Sequence, residues 1–536
     1  MTQLKVDLYD FIDDWANKEF CMQKSFNEIF TLDGFPLEFL YNRSFRRYII
    51  PSQINTYKSL EQNKNIAPFN KAKLFLFSKL LAQYLRINEL KKIKFVKNKS
   101  KNKDKSEIIE LNGQNKKKVL FLTFPHHMSD DKKIFRIEGI IKKIKEDQKF
   151  TEFVLFVDPL SRNEYKLVLG RDFLYSYYNE DIATKARNVS QALSSQWKRI
   201  SNKTKLDFLT KDGISYWPFY KYAFNVYLSK EFLYIVALQY EMYKKVLAQE
   251  SIAAVVLTGS SSIVERCLLA AAEKMNIPSI VIAHGIGKNS KNKDLMQSTT
   301  IAVFSEVEKE GYIQNGNKND IRVVGPVVYD EISRYISEKE SKCQKILIAI
   351  DSKVDGGSAT EEDYFHRIEQ IIIQINKISG INIDLKLHPK NTLYEKYVDI
   401  VEKNKFTNVR TFKSNISRDD FYQLIQECDV FVHFGSNAAL EAMIIGRPIV
   451  TIDLLYKGIE HWIKNNDATI EIAYTDNIKN AIERAVREQD VLKQRMKKVV
   501  LEYCGIVDGK ASERVIDLIH EVIGKNEKTQ DKGVKS

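Results

Sequence analysis

The sequence predicts an α/β protein of two successive doubly wound units facing each other across a cleft, preceded by a basic helical extension. Three observations carry this. From about residue 118 onward, short apolar runs alternate with longer amphipathic stretches, the pattern of parallel strands and their covering helices. The alternation ends at Gly325-Pro326 and restarts near residue 345, so two units are expected. A chain of 536 residues is also too long for one hydrophobic core. The expected domains are 1–117 (helical basic extension and linker), 118–335, 336–523, and a disordered polar tail over 524–536.

Residues 1–93 read as mostly helical, with an aromatic patch at Phe35-Pro36-Leu37-Glu38-Phe39-Leu40-Tyr41. The first 118 residues hold 23 Lys and Arg against 13 Asp and Glu, and eleven of those lysines fall within 91–118. Such a region either attracts polyanions, an anionic membrane surface among them, or is a solvated linker. Leu74, Phe77, Leu81 and Tyr84 recur at helical spacing; this stripe either lies on a membrane or packs on the neighbouring domain.

In the first unit the strands are 118–124, 153–157, 253–257, 279–283, 300–304 and 321–324, with helical stretches near 131–146 and over 180–250. In the second they are 345–350, 383–387, 408–412, 430–432 and 449–452, with helices over 361–379, 418–427, 438–445 and most of 476–523. No apolar run reaches the roughly 18–20 residues that span a bilayer. The N-terminus shows no signal-peptide core, and the five cysteines form no CxxC pair. A cytoplasmic protein without disulfides or a zinc site is therefore expected. GxSxG, P-loop and GxGxxG patterns are missing, so hydrolase, kinase and dehydrogenase readings lack their central element.

The chemistry concentrates where strands end. Leu385-Lys-Leu-His388-Pro389 and Val430-Phe-Val-His-Phe-Gly435-Ser436-Asn437 each run from an apolar strand into a polar turn, and the second opens a helix. A helix N-terminus with a hydroxyl beside it suits a phosphate, which points to a nucleotide-bearing substrate. Ser436 and Asn437 are equally placed to be plain helix caps. Glu441, one turn on, is either a ribose acceptor or an exposed helix acid. Lys386, Lys390 and Arg447 are nearby cations, and Gly356-Gly357 follow the strand at 345–350. In the first unit His284-Gly285 ends a strand, and an imidazole there suits a general base. Asp130 and Asp131, behind His126 and His127, compete for that role, as does Glu265 after Thr258-Gly259-Ser260. No HExxH or DxD pattern supports a metal at these positions.

Taken together, Thr258-Gly-Ser-Ser-Ser, Ile277-Pro-Ser-Ile-Val-Ile-Ala-His284-Gly285, Val303-Phe-Ser through Val324-Gly-Pro326, His388-Pro389, Gly435-Ser436-Asn437 with Glu441-Ala, and Gly446-Arg-Pro448 resemble a known group. They are similar to the GT-B glycosyltransferases of bacterial surface polysaccharide synthesis, especially capsule, Kdo and sialic-acid transferases and the CDP-glycerol polymerases. The resemblance spans about 118–490. It implies two Rossmann-like domains and a donor held by the motifs His388-Pro389 and Gly435-Ser436-Asn437, to which the residues' own positions add Glu441, Lys386 and Gly356 as donor-binding candidates. It also implies a donor that is often cytidine-linked, CMP favoured over UDP, with no separate cofactor or metal. His284, Asp130, Asp131 or Glu265 would take the acceptor proton or act as nucleophile. Two departures stand out: Asp130-Asp131 is followed by Lys132 rather than Gly, and Ala283 precedes His284-Gly285 where Gln or Trp is usual.

The partners expected are a nucleotide sugar, a glycan or lipid-linked acceptor and an anionic membrane surface at the inner face of the cell membrane, with no nucleic acid. A nucleotide-sugar 2-epimerase and a non-catalytic polyanion-binding protein are the alternative readings.

Overall fold

The computed structural model describes residues 19–21, 23–41, 87–88, 91–94, 116–124, 136–147, 149–157, 172–206, 224–283, 299–338, 340–351, 360–388, 391–413, 416–436, 438–454 and 467–534. Two parallel sheets dominate it, one per Rossmann-like domain, as the alternation predicts.

Four short strands come first: β1 (Glu19–Cys21) with β2 (Lys24–Ser25), and β3 (Thr31–Leu32) with β4 (Phe35–Pro36), each an antiparallel pair. The first large sheet is built from β5 (Lys117–Thr123), β6 (Phe150–Phe156), β7 (Asp172–Phe173), β8 (Ile252–Leu257), β9 (Ser279–Ile282), β10 (Thr299–Val303) and β11 (Asp320–Val323). Its order is β11-β10-β9-β8-β5-β6-β7, with every neighbouring pair parallel. The second contains β12 (Lys345–Ile350), β13 (Asn382–Leu387), β14 (Val409–Phe412), β15 (Val430–His433), β16 (Ile449–Asp453) and β17 (Ile470–Ala473). Its order is β14-β13-β12-β15-β16-β17, again all parallel. Helices cover both faces, so strands such as Lys345-Ile-Leu-Ile-Ala-Ile350 are nearly continuous apolar runs.

Polar caps fix where many helices begin. Asn179, Ser229, Ser262, Ser305, Ser417 and Asn477 each accept from a backbone N–H in the first turn of the helix that follows.

The structure departs from the sequence reading in three places. Residues 19–41 are hairpins and short helices rather than mostly helix, and they are not a separate extension. Phe26, Phe30, Leu32, Leu37, Leu40 and Tyr41 pack into the first-domain core with Trp197, Phe224 and Tyr227. The Tyr41 hydroxyl donates to the Tyr227 carbonyl at 2.8 Å. The described lysines at the edges of the basic stretch are engaged there too: Lys92 lies over the Tyr175 ring, Lys117 pairs with Glu527, and Lys118 pairs with Glu250 at 2.8 Å. The stripe at 74–84 and most of the lysine-rich stretch lie outside the described residues.

The second departure is the last helix, Ala511–Val534, which continues through residues expected to be disordered. The third is its location. Val515, Leu518, Ile519, Val522 and Ile523 are buried with Val119, Phe121, Ile140 and Ile144, so the chain returns to the first domain. Two crossings therefore join the domains. In one, Asp330 accepts from the Ala511 and Ser512 amides at 2.9 and 2.7 Å, capping the returning helix. Gly505 marks the other: a Cβ there would meet the Phe304 carbonyl oxygen at 2.5 Å.

Candidate functional site

Chain order places the second-domain site. From the central β12 the chain adds β13 and β14 on one side, then β15, β16 and β17 on the other. The order thus reverses between β12 and β15, and ligands of open parallel sheets bind outside the carboxyl ends of strands at such a reversal. Ile350 pairs with Leu387, and Ala349 pairs with His433. The turns beginning at His388 and Phe434 therefore leave the same edge. They flank β12 rather than adjoin one another, two strand spacings or about 10 Å apart.

The Ser436 turn is organised by a residue the sequence reading passed over. His433, fully buried, accepts at Nδ1 from the Gly435 N–H (3.1 Å) and the Ser436 N–H (3.0 Å). Its Nε2 lies 2.9 Å from the Thr451 hydroxyl. With Nδ1 accepting twice, the ring is neutral and its proton sits on Nε2, donated to Thr451. Two amides expected to face a phosphate are thus turned inward. Gly435 adopts φ +94°, the left-handed region that favours glycine. The Ser436 hydroxyl accepts from the Ala438 N–H at 3.2 Å, so it does cap the helix Ala438–Ile445. That bond uses an oxygen lone pair and leaves the hydroxyl hydrogen to donate.

On β13, His388 follows Asp384 and Lys386 in the alternation that sends every second residue to one face. Asp384 is bound there by Arg410 with two contacts of 2.8 Å. The His388 carbonyl accepts from the Asn391 N–H at 2.8 Å, and the Asn391 amide reaches the Asp351 carbonyl and the Tyr397 hydroxyl. These bonds tie the turns after β12 and β13 together.

Beside them is a partly buried charged cluster. Arg418 opens the helix Arg418–Glu427, and its Nη2 donates to Glu441 Oε1 at 3.3 Å. The guanidinium lies over the rings of Tyr422 (5.5 Å) and Tyr329 (5.9 Å). Glu441 is not the exposed acid one reading allowed, since only 14% of its side chain is accessible. Burial raises its carboxyl above the usual range, opposed by Arg418 and Lys386. Lys386 is 6% exposed, donates to the Leu387 carbonyl and lies 5.6 Å from the Phe421 ring centroid. Burial pushes its amine down to about 8, and Glu441 pulls it back up. Lys386 near the end of β13, Arg418 at the start of the helix after β14 and Glu441 in the first turn of the helix after β15 thus gather near the carboxyl edge.

The cluster also reaches the first domain. Tyr329, in the linker, has its ring centroid 6.5 Å from that of Phe304, which directly follows β10. Arg447 does not belong to the cluster. It is buried at the opposite edge, before β16, where Asp429 and Cys428 offset the cost of burial.

In the first domain the order reverses between β5 and β8. Glu265, in the connection after β8, is a capping-box acid. Its Oε2 accepts from Ser261 N (3.0 Å), Ser262 N (2.8 Å) and the Ser262 hydroxyl (2.8 Å). Those bonds explain its burial without a catalytic role. The next residue, Arg266, donates to the Ser260 carbonyl and lies 4.4 Å from the Phe39 ring centroid, so the N-terminal segment props this turn. His284, Asp130, Asp131, Pro389, Asn437 and Gly356 lie outside the described residues, as do His126, His127 and Lys390.

No protein-family model matches the chain, and no curated protein matches it. Solved structures do. A UDP-GlcNAc 2-epimerase from Neisseria meningitidis bound to UDP-GlcNAc is 13% identical, with a TM-score of 0.48 over 75% of this chain and 100% of that one. MurG of Acinetobacter baumannii is also 13% identical, with a TM-score of 0.38 over 76% and 99%. A glycosyltransferase from Rickettsia africae is 11% identical, with a TM-score of 0.43 over 76% and 99%. These are likenesses of general layout, and the functional reading rests on this chain's own residues. Among the described residues, no helix is long and apolar enough to cross a membrane.

Proposed function

We propose that this chain is a glycosyltransferase that moves a sugar from a nucleotide-activated donor, CMP-linked by preference, to a glycan or lipid-linked acceptor in surface polysaccharide synthesis. One observation carries the reading: Lys386, Arg418 and Glu441 gather near the carboxyl edge beside the order reversal of the second sheet, the same edge from which the Ser436 turn leaves. Cations, a helix N-terminus and a hydroxyl suit the phosphate, and a carboxylate suits ribose hydroxyls.

In the transfer, the acceptor oxygen bonds to the anomeric carbon as the bond from that carbon to the phosphate oxygen breaks. The electron pair departs with the nucleotide. Lys386, His388, the Ser436 hydroxyl and the positive end of the helix Ala438–Ile445 stabilise that growing charge. Glu441 orients the nucleotide. The acceptor proton goes to His284 or to a carboxylate at 130–131. If transfer instead runs through a covalent sugar–enzyme intermediate, one of those carboxylates is the nucleophile. The basic stretch at 91–118 holds the enzyme at an anionic membrane face, near a lipid-linked acceptor.

The test is incubation with CMP- and UDP-sugars, with and without a lipid-linked oligosaccharide acceptor. Nucleotide release that requires the acceptor, with the acceptor gaining one sugar, is the expected result. A sugar epimer formed without acceptor would replace this reading with that of a 2-epimerase.

A further inference from the structure

We infer that Arg418 is a positioning residue of the donor site, holding the Glu441 carboxylate in place for the nucleotide ribose. This rests on the donor-site reading above and adds to it a residue that no motif pointed to. Glu441 sits in the first turn of the helix Ala438–Ile445, and Arg418 arrives from a separate connection, the one after β14. The groups described around the carboxylate are Arg418 and Tyr422 from one helix, Lys386 from β13 and Tyr329 from the linker. Two aromatic rings lie within 6 Å of the guanidinium, 5.5 Å for Tyr422 and 5.9 Å for Tyr329, and favour its place beside Glu441.

The competing view is that Arg418–Glu441 merely ties two helices together. The geometry speaks against it. Arg418 reaches Oε1 alone, and a carboxylate offers roughly four lone-pair sites on its two oxygens, so the bond to Arg418 does not use up its capacity to accept from ribose hydroxyls. A carboxylate this buried also needs a cation nearby to stay charged, because burial drives it toward the neutral acid. The neutral acid is a poorer acceptor for ribose hydroxyls.

The experiment measures binding of CMP, CDP, UDP and GDP, and of their 2′-deoxy counterparts, to the full-length protein across pH. Wild type, Arg418→Gln, Arg418→Lys, Glu441→Gln and the Arg418→Gln/Glu441→Gln double variant are compared. Wild type is expected to prefer the ribonucleotide, and Arg418→Gln to lose affinity by about tenfold or more together with that preference. As pH falls, Glu441 takes up a proton and binding weakens. Without the Arg418 cation this weakening should begin at higher pH, and in Glu441→Gln it should vanish. Arg418→Lys keeps a charge and should restore part of both affinity and preference. The double variant should bind no more weakly than Glu441→Gln. It also leaves no buried charge unpaired by the loss of Arg418, so it stands in should Arg418→Gln fold poorly.

Wild-type affinity and ribose preference in Arg418→Gln would overturn the inference alone. So would losses that multiply in the double variant. Binding of none of these nucleotides by wild type would overturn the donor-site reading itself, and the inference with it.

Discussion

A chain ending at Lys510 should fail to keep its first domain folded. The helix Ala511–Val534 buries Val515, Leu518, Ile519, Val522 and Ile523 against β5 and the helix Glu138–Glu146. At roughly 1.5–3 kcal/mol per buried side chain, the loss is on the order of 10 kcal/mol, comparable to the whole stability of an ordinary domain. Polar anchors go with it: His520 lies 2.7 Å from Asp147, and Arg514 Nε donates to the Val324 carbonyl at 2.6 Å. Limited proteolysis checks this. Peptides from 117–323 should appear early from the truncated chain while 345–504 resists. Equal resistance of both regions would show that the helix is dispensable.

His433→Ala should cost about 3–5 kcal/mol in urea denaturation and also abolish nucleotide binding. It strands the fully buried Thr451 hydroxyl, at roughly 1–3 kcal/mol, and takes their acceptor from the amides of exposed Gly435 and half-buried Ser436, which water can partly satisfy. It also leaves a cavity the size of an imidazole. Once released, the Gly435 turn no longer presents the Ser436 hydroxyl. A variant that unfolds at the wild-type urea concentration would mean the imidazole is not the anchor of this turn.

These two effects mark where the sequence was legible and where it was not. The parallel strands were legible because strands buried on both faces are continuous apolar runs, and β12 has the bounds its sequence suggests. That the His388 and Ser436 turns share an edge follows from parallel pairing, and the register bears it out. β7 escaped notice because it is an edge strand of two residues, too short for a periodic signal, whereas β17 alternates over four residues, as the edge strands β11 and β14 do, and was passed over. The returning helix escaped for another reason. An amphipathic stripe says that a helix covers a core, but not which of two sheets it covers. His433 carried a usable signal, a polar residue between the apolar strand read at 430–432 and Gly435, yet no role was read for it. Arg418 carried none. Followed by Asp419 and Asp420 it resembles a solvated helix start, and the rings that hold it come from residues 329 and 422.

The central claim is that the second domain holds a nucleotide at the Ser436 turn. A thermal-shift series with CMP, CDP, UDP and GDP on wild type and Ser436→Ala tests it most directly. The substitution removes a helix cap, worth about 1 kcal/mol, so the quantity to compare is the ligand-induced shift and not the melting temperature itself. Stabilisation of wild type by one nucleotide, CMP or CDP by preference, with most of that shift lost in Ser436→Ala, is the result expected. A shift that survives the substitution unchanged, or none with any nucleotide, would contradict the account.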